Sequence, residues 1–94
     1  MSNTYIKDPA AILAYGFDWS AWLDGDDHVT VSTWAIDGAS GLAQVSAAID
    51  GGQRTRVTLS GGTESATLYR VTNTIETANG LKDRRSLYIR VAAR

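Results

Sequence analysis

Clusters of Gly, Asp and Asn punctuate this chain, and that punctuation limits its fold more than any other feature. Asp24-Gly25-Asp26-Asp27, Asp37-Gly38-Ala39-Ser40-Gly41, Asp50-Gly51-Gly52, Gly61-Gly62 and Asn79-Gly80 recur at intervals of about 10 to 18 residues. Each is a turn signal, because Gly adopts positive φ without steric penalty and Asp or Asn bonds its own backbone. Between the clusters Thr, Val and Ser are plentiful and Glu, Lys and Met are few, which is a strand vocabulary. Ala10 to Ala14 after Pro9 has room for one helical turn, too short to stand alone. Short strands separated by regular turns point to an all-β sandwich or barrel.

Six strands are read from the alternation. They run from Tyr15 to Leu23, His28 to Ile36, Leu42 to Ile49, Arg54 to Leu59, Thr67 to Thr77 and Arg85 to Val91. In the fourth, Thr55, Val57 and Leu59 point inward. In the fifth, Tyr69, Val71 and Ile75 do so, and in the sixth Leu87, Ile89 and Val91. The second strand changes phase, since Val29 and Val31 share one parity and Trp34 and Ile36 the other. A bulge near Ser32-Thr33 brings both pairs to the core. The last two strands flank Ala78 to Asp83 and form a hairpin. One buried face per strand predicts an antiparallel, Ig-like β-sandwich of about six to seven strands. In ESATLYRV, Tyr69 stands where Ig-like domains place a corner tyrosine bonded back to the preceding backbone, and Val71 packs between the sheets.

The chain has 94 residues, enough for one core, so residues 1–94 are read as a single domain. Residues 1–8 carry little apolar surface ahead of Pro9 and are expected to be loosely attached. Hydrophobic residues at 44% and charged residues at 20% fit a soluble globular chain rather than a disordered one. With no cysteine, disulfide scaffolds, thiolate zinc sites and cysteine nucleophiles are excluded together. No apolar run approaches the roughly 20 residues of a membrane helix, and MSNTYIKDPA lacks the shape of a signal peptide. A net charge of −1 disfavours sequence-independent nucleic-acid binding.

Chemistry-bearing patterns are few. His28 is the single histidine, no nucleophile elbow accompanies it, and it reads as a surface loop residue. Phosphate-cradling motifs are missing, and no catalytic or cofactor-binding residue is assigned. Asp24, Asp26 and Asp27 supply three neighbouring carboxylates, a candidate calcium loop, but the spacing does not match an EF-hand and turn chemistry explains it better.

Two features go further. Tyr15, Phe17 and Trp19 share one strand parity and Trp22 the other, so a regular strand turns one large ring outward as a partner contact. A bend at Gly16 or Ser20 buries them instead. The acidic turn alongside gives an apolar patch a charged rim, and Asp18, Trp19, Trp22, Asp24 and Asp26 are therefore the candidate partner surface. Charge is also divided along the chain. Residues 1–50 hold one Lys and seven Asp, net −6; residues 51–94 hold eight Lys and Arg against two Glu and one Asp, net +5. Either copies stack acidic end on basic end, or the two halves face each other within one molecule, which is the preferred reading.

The ordered set of segments resembles the phage fiber–tail adaptor family. It comprises Lys7-Asp8-Pro9, the strand Tyr15 to Leu23, the acidic turn, Ser32-Thr33-Trp34-Ala35-Ile36, Leu59 to Gly80 with Tyr69 and Asn73, and Arg85 to Val91. The resemblance departs in the middle, where Asp37 to Gly41 replaces a proline-containing loop. It implies a non-enzymatic virion structural protein, present in the host cytoplasm during assembly. Its implied partners are other phage tail or fiber proteins, with no nucleic acid, membrane or cofactor. In isolation the expectation is a monomer or weak oligomer, with ring formation open to it in the virion. The alternative is a carbohydrate- or ligand-binding β-sandwich module in which Trp19 or Trp22 beside Asp18 stacks on a sugar ring.

Overall fold

The structure, a computed structural model, describes residues 4–38, 40–64 and 68–93. Seven strands are present: β1 (Thr4–Lys7), β2 (Ile12–Asp18), β3 (Val29–Asp37), β4 (Leu42–Asp50), β5 (Arg54–Gly61), β6 (Tyr69–Thr77) and β7 (Lys82–Val91). They form two sheets, β1-β7-β6-β3 and β2-β5-β4. All pairings are antiparallel except β1 with β7. The chain crosses between the sheets three times after β2, so each sheet is built from distant segments.

The inward parities of the last three strands are as read. Val57 and Leu59 of β5, Tyr69, Val71 and Ile75 of β6, and Leu87, Ile89 and Val91 of β7 make a continuous buried core with Phe17, Trp19 and Val29. Trp34, read as core, is half-buried and stacks on Phe17 at 5.9 Å between ring centroids. The Tyr69 hydroxyl donates to the Ser40 carbonyl and accepts the Thr63 amide, both at 2.8 Å. It thus ties the start of β6 to two connections. The start of the fifth strand at Thr67, and most of the segment ahead of Tyr69, lie outside the described residues.

Four readings are corrected. First, residues 4–7 are not loosely attached: they form β1, paired in parallel with Tyr88 to Val91. Lys7 is fully buried, and its Nζ donates to the carbonyls of Gly61 at 2.6 Å and Asp8 at 3.0 Å. Burial pulls this ammonium below the usual lysine range, with the Asp8 carboxylate opposing. A lysine at an inward position hid the strand, because alternation reads Lys as outward. Residues 1–3 lie outside the described residues.

Second, the phase change in β3 falls between Val29 and Val31, not at Ser32-Thr33. Val29 is buried, Val31 is left exposed, and Trp34 and Ile36 then turn toward the core. Third, the aromatic strand begins at Ile12 and ends at Asp18 rather than running to Leu23. Between β6 and β7 the connection is 78–81, shorter than read, because Lys82 and Asp83 already pair with Glu76 and Ile75.

Candidate interaction surface

Three connections meet at one end of the sandwich: 19–28 from β2 to β3, 51–53 from β4 to β5, and 78–81 from β6 to β7. Backbone bonds lock them together. Trp19 N–H donates to Gln53 O and Val29 N–H to Gly52 O, both at 2.8 Å, and Ala78 N–H to His28 O at 3.0 Å. Gly52 has φ of 72°, and a Cβ there would press on the His28 side chain, so this close approach requires glycine.

The long connection starts with a tight reversal. The Asp18 carboxylate accepts the Ser20 amide at 2.9 Å, and the Trp19 carbonyl accepts the amides of Trp22 and Leu23. That turn drops Trp19 between the sheets, where it is fully buried. Its indole N–H reaches Thr55 Oγ1 at 3.2 Å and Asn73 Oδ1 at 3.3 Å. Thr55 donates to Asn73 Oδ1 at 2.6 Å, and Asn73 Nδ2 donates to Ser32 Oγ and the Thr33 carbonyl. This polar cluster joins β5 of one sheet to β6 and β3 of the other. The Arg85 guanidinium lies 4.0 Å from the Trp19 ring centroid and donates to the Asp18 carbonyl.

Asp27 fixes the far side of the same loop. Its side chain is buried, and Oδ1 accepts the amides of His28 at 2.9 Å and Asn79 at 3.0 Å. Burial pushes its carboxyl up, but the nearby Thr77 hydroxyl and the bonds from the Asn79 and His28 amides outweigh it and hold the group below the usual carboxylate range. Asp18 is also held low, by its bonds from Ser20 and then by Arg54, 3.6 Å away.

The five residues read as a partner surface therefore separate. Asp18, Asp24 and Asp26 are exposed at this end. Trp22 is half-buried, its ring edge-on to Trp19 at 5.5 Å. Trp19 is corrected: it belongs to the core and presents nothing to a partner, because the chain bends at Ser20 instead of continuing as a strand. Asp27 leaves the acidic group for the interior while Asp24 and Asp26 stay in solvent. Among the described residues no three His, Asp or Glu side chains converge in the manner of a metal site. His28 is exposed, as read.

The sequence reading missed Leu81 and Asn79 as neighbours of the acidic turn. Asp27 and the His28 carbonyl bring the β6–β7 connection alongside it, and Leu81 stays 43% exposed there. A leucine just after Asn79-Gly80, in an otherwise polar turn, was the one available signal. This end thus carries the incompletely buried apolar side chains of Trp22, Leu23 and Leu81 together with the exposed carboxylates of Asp24 and Asp26.

Comparison with known proteins gives one family. The family model described as podophage GP4 fiber-tail adaptor protein gp77 matches residues 7–90, a span that takes in β2 to β6 whole. The chain matches none of the curated proteins.

Proposed function

The chain belongs to the podophage fiber-tail adaptor family, and from that premise we propose that it is a non-enzymatic structural protein of the virion that joins tail and fiber components through protein–protein contacts. The observation that carries this reading is the family match over residues 7–90. The family's adaptor role implies a place in the virion, and the protein passes through the host cytoplasm during assembly. Free in solution it is a monomer or weak oligomer.

One of its contacts is the three-connection end, with Trp22 and Leu81 as apolar anchors and Asp18, Asp24 and Asp26 as the charged rim. What supports the assignment is rigidity. The loop is held by Asp27, Trp19 and the backbone bonds to Gly52 and Gln53, so docking it loses little conformational entropy. The sugar-stacking alternative is weaker, because Trp19 is buried and Trp22 is partly covered by it.

The test is the double variant Trp22→Ala with Asp24→Lys, assayed for thermal unfolding and for incorporation into tails. Cooperative folding with incorporation reduced at least tenfold is expected. Normal incorporation removes this end from the interface, and loss of folding assigns Trp22 to the core.

A further inference from the structure

The outer edge of any sheet leaves backbone N–H and C=O groups unpaired, and folded proteins protect such edges with short strands, bulges or inward-pointing charge. The edges here are β1 and β3 in one sheet and β2 and β4 in the other. β1 is four residues long and turns Lys7 inward. β3 is irregular at Val29/Val31 and β4 at Gln44/Ser46. β2 has none of these devices. It pairs without a break with β5 from Ile12 to Asp18 and contains no proline and no cation. Its single charge, Asp18, stands at the end and faces Arg54.

The sandwich is also unfinished beside β2. Leu13 is the cross-strand partner of Leu59, and Tyr5 of Ile89; both partners are fully buried, so Leu13 and Tyr5 point between the sheets. Yet Leu13 is 41% exposed and Tyr5 42%. One sheet has four strands and the other three. The Tyr5 ring meets the Tyr15 ring at 5.2 Å, so β1 lies across from β2 on the same side of the molecule. Among the described residues no strand flanks β2 there. On the outer face, Gly16 leaves a depression of about 330 Å³ walled by Asp18, Asp50, Arg54 and Arg56, with Ile12, 64% exposed, on the same strand.

We propose that β2 is an acceptor edge: an extended, uncharged strand from another tail or fiber chain, apolar at alternate residues, pairs with it and becomes the fourth strand of the second sheet. That the donor is a tail or fiber chain rests on the adaptor reading. Charge selects the occupant. The only charge on β2, Asp18, is already paired with Arg54, so the edge offers a charged strand no partner. Area argues against a second copy. Two molecules joined β2 to β2 share one seam of seven residues, about 24 Å long at roughly 3.4 Å per residue. A seam one strand wide falls short of the roughly 1,200 Å² of a stable interface. A single donated strand is instead held on two sides, by the backbone of β2 and by the rings and aliphatic groups of Tyr5 and Leu13. It covers the inward apolar surface that β1 alone does not.

The experiment compares the full-length protein free and in assembled tails, by amide exchange at the β2 residues not bonded to β5. Variants Leu13→Lys, Leu13→Val and Asp24→Lys are scored for thermal midpoint and incorporation. Slowing of β2 exchange at least tenfold in tails is expected. Leu13→Lys, which places a charge in the slot, is expected to lower incorporation at least tenfold with an unchanged midpoint, and Leu13→Val to retain it. Equally fast β2 exchange in tails overturns the proposal, and so does normal incorporation of Leu13→Lys. Should Leu13→Lys not fold, the wild-type exchange comparison decides. A wild-type dimer on sedimentation that Leu13→Lys dissolves assigns the edge to a second copy and overturns the donated strand. A wild-type chain absent from tails overturns the adaptor reading and the donor with it. Incorporation lost in Asp24→Lys, with β2 unprotected in wild-type tails, keeps the adaptor and removes only the strand.

Discussion

Asn73 shows how much a single polar residue organises in this core. It is fully buried, accepts from Trp19 and Thr55, and donates to Ser32 and Thr33. Asn73→Ala strands several of these groups without partners, and buried groups left unpaired are expensive. We expect it to lower stability by about 2–4 kcal/mol in urea titration; a loss under about 1 kcal/mol would mean that water replaces the amide. Val71→Ala, next but one along β6, removes only apolar volume, and about 1–3 kcal/mol is expected. Asp27 behaves differently because its contribution depends on pH. Its carboxyl is held low in the folded state, so its stabilisation is complete above the unfolded carboxylate pKa near 4 and is lost as pH falls through the lower folded value. In thermal melts the gap between wild type and Asp27→Asn should be wide at pH 7 and close on acidification. A gap that is constant with pH would remove the charge from the account.

At the scale of elements, β2 and β1 carry opposite lessons. β2 approaches β5 so closely at Gly16 that a Cβ there would collide with the Thr55 carbonyl. Gly16→Ala should therefore loosen the β2–β5 pairing, lowering stability by about 1–3 kcal/mol, with faster amide exchange along β2 than along β6. Equal acceleration in both strands would point to global unfolding instead. β1 is short and held by one parallel ladder and the Lys7 ammonium. Lys7→Ala should release it selectively, raising exchange at Ile6 while β6 stays protected.

Over the whole molecule, part of the divided charge is paired internally. Asp18–Arg54, Asp50–Arg56 and Asp37–Arg70 each join an acid of the first half to a base of the second. All three pairs are exposed, so they align the halves more than they stabilise them. Raising the salt concentration to 1 M should shift the urea midpoint by the equivalent of under about 1 kcal/mol. A larger fall would show that the pairs act as a network. Folding must also bring β1 to β7, the two ends of the chain, and interleave the sheets. Long-range pairing of this kind is slow, and refolding in the millisecond-to-second range is expected by stopped flow.

The sequence by itself determined the element type, most strand positions and the inward parity of β5, β6 and β7, because alternation and turn residues are local signals. It also carried the family, through segments spread across the chain. What only the tertiary structure decided are the places where an interior position is filled against local rule. Lys7 is buried because the Gly61 carbonyl, far along the chain, receives its ammonium. Trp19 left the surface because a bend at Ser20 and the Thr55–Asn73 pair gave its N–H partners inside. Asp27 parted from Asp24 and Asp26 because the Asn79 amide arrived from another hairpin. In each case the deciding partner lies more than 30 residues away, and no local pattern records the burial of a polar group that a distant backbone or side chain satisfies.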